Sequence, residues 1–197
     1  RREMKRLIPV FLMLILMSAP VYADDLQDGL NAYQKQDLKE AVRLFSLSAE
    51  QGDVDAQTLL GSMYSEGLGV PQNYKESLKW YRLAAEQGAV GAQYNLGTMY
   101  GKGYGVPQNY KEAVRWYKLA AEQGAVDAQV NLGMMYANGE GVSRDYIKAH
   151  KWINIAVANG FENGRKTKDL IEKQMTPDQI AEAQKLAREW MNEHGKE

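Results

Sequence analysis

Ala56, Leu60, Met63 and Tyr64 stand at the spacing of one helix face, and a second apolar helix face follows at Trp80, Tyr81, Leu83 and Ala84 after a break rich in glycine. The first run predicts a helix over roughly Val54 to Ser65. The second predicts a helix entered at Asn73, with Glu76 three residues on to complete a capping box, and ended at Gly88 through a left-handed conformation. Trp80, Tyr81, Leu83 and Ala84 are the expected inner face of that helix. Lys75, Lys79, Arg82 and Glu86 are its expected solvated face.

This hairpin pattern repeats. "DVDAQTLLGSMYSEGLGVPQNYKESLKWYRLAAEQG" from Asp53, "AVGAQYNLGTMYGKGYGVPQNYKEAVRWYKLAAEQG" from Ala89 and "AVDAQVNLGMMYANGEGVSRDYIKAHKWINIAVANG" from Ala125 are each 36 residues long, and the first two agree at 24 positions. The loop "GKGYGVPQNY" invites comparison with phosphate-binding loops, but only two of its glycines recur, at Gly67/Gly103/Gly139 and Gly69/Gly105/Gly141. It follows a helix rather than a strand and lacks the Gly-Lys-Ser/Thr of a P-loop. Glycine there is explained by a tight turn in which positive φ is cheap without a Cβ.

One hairpin is too small to hide its own Trp and Tyr, so neighbouring units must stack on a shared core. Asp37 to Gly52 matches the second helix of a unit and is preceded by a short helix around Leu26 to Tyr33. After the third block, Phe161 to Gln174 predicts one more helix. Thr176 and Pro177 then open a last one, whose inner stripe is Ile180, Ala183, Ala187, Trp190 and Met191, a lid on the final unit. The expected organisation is a partial front repeat over 24–52, repeats over 53–88, 89–124 and 125–160, and capping helices over 161–197.

The pattern "AQxxLGxMYxxGxGVxxxYxKAxxWYxxAAEQG" resembles the Sel-1-like repeat, a relative of the tetratricopeptide repeat, and "MTPDQIAEAQKLAREW" resembles the tail that closes such arrays. The resemblance implies an all-α, right-handed α-solenoid of stacked helical hairpins with a C-terminal capping helix pair. It also implies a protein-binding adaptor, often of the bacterial envelope, rather than an enzyme. Unit three departs from the pattern at Ser143, Arg144, Ile147 and Ile153, and the front unit lacks the glycine loop.

Positions that differ among the three blocks separate from those shared for packing. On the first helix they are Asp55, Thr58, Leu59, Ser62, Ser65 and Glu66, which lie on one face. Their counterparts are Gly91, Tyr94, Asn95, Thr98, Gly101 and Lys102, then Asp127, Val130, Asn131, Met134, Ala137 and Asn138. In tetratricopeptide relatives the first helices line the concave surface, so the resemblance implies that these side chains face a groove. Tyr94 would offer a rigid amphipathic surface and Met134 an adaptable one, while Asn95 and Asn131 could grip the backbone of an extended peptide. Replacing Tyr94, Asn95 and Asn131 by Ala is expected to cost little stability, as at surface positions generally.

Lys5 and Arg6, the apolar run Leu7 to Met17, and small residues Val21 and Ala23 describe a secretory leader over residues 1–23, with Met4 as the start. The run is short for a membrane span, so a periplasmic protein without stable membrane insertion is expected. No cysteine occurs, which excludes a lipoprotein anchor and disulfides. Without the leader the net charge is about −4, which argues against nucleic acid as partner. His150 replaces Leu78 and Val114 of the earlier units, and His194 lies near the C-terminus. Neither shows a catalytic partner at a repeated position. No metal-ligand spacing is present, no cofactor is expected, and a capped chain is expected to be a monomer. Two alternatives are a β-lactam-binding or weakly hydrolysing enzyme of the secreted Sel-1-like group and a self-assembling spacer. The first is weakened by the missing cysteines and by the absence of Ser-x-x-Lys after the leader.

Overall fold

Helices of about thirteen residues are marginal alone and gain their stability from tertiary packing, so each has to be read with its neighbours. The computed structural model describes residues 22–194, and the expected leader lies outside them save for Tyr22 and Ala23. Among the described residues there are ten helices and no strand: α1 Tyr22–Gln34, α2 Leu38–Glu50, α3 Val54–Glu66, α4 Tyr74–Glu86, α5 Val90–Lys102, α6 Tyr110–Glu122, α7 Val126–Asn138, α8 Tyr146–Ala158, α9 Gly164–Glu172 and α10 Pro177–His194. Each helix from α1 to α8 packs on the next, giving stacked hairpins. The last helix, α10, turns back onto α8.

The hairpins close as the turn chemistry requires. Gly67, Gly103 and Gly139 terminate α3, α5 and α7 in the left-handed conformation. The second loop glycine answers the phosphate question: a Cβ on Gly105 would strike the Tyr74 carbonyl, and one on Gly141 the Tyr110 carbonyl. Each loop therefore lies directly on the first turn of the preceding second helix, and both glycines have positive φ. Asn73 accepts hydrogen bonds from the Lys75 and Glu76 N–H groups at 3.1 and 3.2 Å. The expected capping box is only half formed, because the Asn73 N–H donates to the Tyr64 carbonyl at 2.8 Å, tying the hairpin ends together. Glu76 faces Lys79 instead. The reciprocal box forms at Thr176, whose N–H donates to Gln179 Oε1 while its hydroxyl accepts from the Gln179 N–H.

The core is a stack of equivalent layers. In each, a tryptophan from one second helix closes over residues of its own first helix and of the preceding second helix. Trp80 joins Phe45 and Leu60, Trp116 joins Tyr81 and Leu96, and Trp152 joins Tyr117 and Leu132. Sharing of this kind is what a hairpin too thin to bury a Trp requires. The basic residue before each Trp covers its ring, with Lys79 at 4.6 Å, Arg115 at 4.0 Å and Lys151 at 5.0 Å. Leu83 departs from expectation: it is 39% exposed, as are Leu47 and Leu119 to a similar degree. One stripe of the helix already satisfies both packing neighbours, and Leu83 lies beyond its edge. The helices within a hairpin close through Gly61 and Gly97, where a Cβ would stand 2.8 Å from the Tyr81 and Tyr117 rings.

A buried amide row, which periodicity did not reveal, fastens unit to unit. Gln57, Gln93 and Gln129 are buried and donate to the carbonyls of Ala49, Ala85 and Ala121 at 3.1, 3.2 and 3.1 Å. Their own carbonyl oxygens accept from Gln87, Gln123 and Asn159 at 2.8, 2.8 and 3.2 Å. Each glutamine thus bridges the end of the preceding second helix and the end of its own unit's second helix. Both polar atoms of each amide are hydrogen-bonded, and that is what permits their burial.

The C-terminal pair caps the stack. Trp190 packs edge-on to Trp152 at 5.7 Å, and Ala187 enters the same core layer. Fully buried His150 has a carboxylate partner after all, Glu172 on α9, at 2.7 Å from Nε2. Its Nδ1 lies 3.4 Å from the Asn154 amide. The contact joins α9 to α8 at a single position, so no repeat pattern could show it.

Candidate binding groove

The face that varies from unit to unit is carried by α3, α5 and α7, held in register by the glutamine row beneath it. Asp55, Lys102, Asp127, Met134 and Asn138 on it are exposed. Thr58, Leu59, Ser62, Tyr94, Asn95, Thr98, Val130 and Asn131 are half-buried. Several of the latter form the wall rather than a free surface. Leu59 and Tyr94 pack on core layers, Val130 packs on the Ala149–Ile153 cluster, and the Tyr94 ring lies 5.8 Å from that of Tyr117. Truncating Tyr94 therefore costs packing, contrary to the surface behaviour expected of it. Asn95 and Asn131 occupy equivalent positions on α5 and α7.

Hydroxyl groups on this face are largely spoken for. Thr58 and Thr98 donate to the carbonyls of Val54 and Tyr94, Thr98 lies 3.0 Å from the Tyr117 hydroxyl, and Ser62 donates to Glu66 at 2.9 Å. Burial pushes the Tyr81 hydroxyl up to about 12, partly opposed by its hydrogen bond with Ser62, and burial also raises Tyr117. Both are neutral hydrogen-bonding walls at ordinary pH.

The face deepens into a pocket of about 180 Å³ where the second and third units meet. Lys102, Asn131 and Met134 line it, as the sequence comparison placed them on one face. Gly101 and Met135 also line it, and Tyr110, Tyr117 and Glu140 complete it. Sequence reasoning missed these three because it compared first helices only. The signal was in the loops, where Glu140 stands in the place of Tyr104. Met134 and Tyr110 are respectively 38% and 39% exposed, so the pocket presents a thioether and an aromatic ring to solvent. No helix among the described residues is long and apolar enough to cross a membrane.

Four stretches of the chain, residues 26–53, 54–88, 90–124 and 126–161, match the family model described as Sel1 repeat. The chain is similar to the Sel1 repeat protein from Oxalobacter formigenes, at 30% identity and a TM-score of 0.73 over 85% of this chain and 70% of that one. It is also similar to c5321, a protective antigen present in uropathogenic Escherichia coli strains displaying an SLR fold, at 28% identity and a TM-score of 0.61. That match covers 88% of this chain and 46% of the antigen, so the chain spans less than half the antigen's length. Comparison with curated proteins gave no match.

Proposed function

The chain belongs to the Sel1 repeat family, and we propose that it is a non-catalytic adaptor of the bacterial cell envelope, holding an extended segment of a partner protein along α3, α5 and α7. Sel1 repeat proteins are generally interaction scaffolds and typically non-catalytic. The observation that carries the finer reading is a contrast within this chain. The framework of glycines, tryptophans and glutamines recurs at the same positions, while the face above it changes from unit to unit and opens into a pocket. A solenoid that fixes its backbone and varies one face is built to recognise something along its length. Asn95 and Asn131 are suited to bond a peptide backbone, with Met134 as an adaptable contact beside them. The periplasm as its location is supported by the basic, apolar and small-residue order of Met4 to Ala23. A capped, monomeric stack is supported by the packing of α10 on α8.

The test leaves Tyr94 in place, since its ring is part of the packing. An Asn95→Ala/Asn131→Ala double variant is compared with the wild type for melting temperature and for partners recovered from an envelope extract. The reading expects a melting temperature within a few degrees and partner recovery reduced at least about tenfold. Undiminished recovery by a folded variant overturns the groove.

A further inference from the structure

The pocket at the meeting of units two and three has an internal template one unit earlier. There the Tyr104 ring, in the loop after α5, stacks on the Tyr74 ring with centroids 4.7 Å apart and planes 13° from parallel. Position for position, Tyr74 corresponds to Tyr110 and Tyr104 to Glu140. The two loops are laid down alike: Gly105 and Gly141 have φ of 69° and 71°, and each abuts the carbonyl of the tyrosine beneath it. The two tyrosines are also held alike, Gln72 donating to the Tyr74 hydroxyl at 3.2 Å and Gln108 to the Tyr110 hydroxyl at 3.1 Å. What differs is the group above the ring. At Tyr110 a carboxylate replaces the stacking partner: among the described residues no ring stacks on Tyr110, which is 39% exposed and lines the pocket with Glu140.

The chemistry of the walls selects an occupant. An exposed ring without a stacking partner suits a flat group. Glu140 accepts only from the Asn138 amide at 3.3 Å, and among the described residues no Lys or Arg lies within ion-pair distance of it. Lys102 also lines the pocket but makes no ion pair with Glu140, its amine lying 5.7 Å from the Tyr104 ring. A flat cation that stacks on an aromatic face and donates in parallel to a carboxylate is a guanidinium. We propose that this pocket receives an arginine side chain of the partner segment, stacked on Tyr110 and hydrogen-bonded to Glu140. The proposal deepens the groove reading and rests on it.

The test titrates nitrogen-15-labelled protein with end-capped glycine peptides carrying a single arginine, lysine or tyrosine, and follows amide shifts. The arginine peptide is expected to shift Gly101, Asn131, Met134 and Glu140 and to bind more tightly than the other two. Glu140→Gln keeps the pocket's shape and is expected to weaken the arginine peptide roughly tenfold. Glu140→Tyr refills the pocket as Tyr104 does one unit earlier, and is expected to abolish these shifts in a protein that melts no lower than the wild type. Equal binding of arginine and lysine peptides, tighter binding of the tyrosine peptide, or shifts that survive Glu140→Tyr overturn the assignment. If the arginine peptide fails while Asn95→Ala/Asn131→Ala still loses the partner, the pocket assignment falls and the groove stands. If the double variant keeps its partner, the groove falls too.

Discussion

The middle of the stack and its C-terminal end bury tryptophan by different means. Trp116 is enclosed by α4, α5 and its own helix, with an arginine over its outer face. Trp152 occupies the equivalent place on α8, but α10 crosses it and adds Trp190 edge-on. Ile155, the counterpart of exposed Leu119, is fully buried there. The difference teaches that a repeat is specified by what its neighbours share, whereas an end must be specified residue by residue. His150 and Glu172, Trp190 and Ala187 each occur once in their roles, and together they cover the side of α8 on which a further hairpin would otherwise pack.

Large truncations separate the two regions first. Trp116→Ala is expected to cost about 4 kcal/mol, since it empties a layer on which two units depend. Trp190→Ala, removing a half-buried ring from the cap, should cost about 2–3 kcal/mol. Denaturant unfolding followed by circular dichroism measures both, and equal costs would erase the distinction between middle and end. Next comes alkaline pH. Tyr81 stays protonated in the folded chain to about pH 12, whereas an exposed tyrosine ionises near 10. The stability tied to its neutral form is complete below pH 10 and falls by about 2–3 kcal/mol as pH rises from 10 to 12. Tyr81→Phe should flatten that part of the pH profile.

The glutamine row gives a finer comparison. Gln129→Leu takes from the Asn159 amide its one hydrogen-bond partner among the described residues and should cost about 1–2 kcal/mol. Gln93→Leu should cost less, about 1 kcal/mol, because the Gln123 amide keeps the Gly88 carbonyl at 3.2 Å and the Ala85 carbonyl keeps the Gly88 N–H at 3.0 Å. Smallest among these is Lys185→Ala. It breaks an exposed α10 ion pair of 3.9 Å and should change stability by no more than about 0.5 kcal/mol.

Much of this architecture was legible because the chain compares itself with itself. Helix ends came from Asn73 and Gly88, stacking from the recurring Trp80 and Tyr81, and the lid from the stripe ending at Trp190. Leu83 was misassigned because spacing alone does not tell how wide a stripe the neighbours cover. The half-formed box at Asn73 escaped because its N–H is claimed by Tyr64, across the hairpin rather than along the chain. In the groove, the first-helix face was readable from unlike residues at like positions. Tyr110 and Glu140 were not, since the pocket forms only when the loop of one unit settles on the helix of another.

The most direct test of the central claim, that the varied face holds the partner and the framework side does not, is crosslinking in living cells from a photoreactive side chain placed at Met134 or at Leu83. Both positions are similarly exposed, on a first and a second helix respectively. The account predicts a discrete crosslinked species from Met134, reproducibly identified by mass spectrometry, and none of comparable yield from Leu83. Equal yields from both, or a species from Leu83 alone, would contradict it.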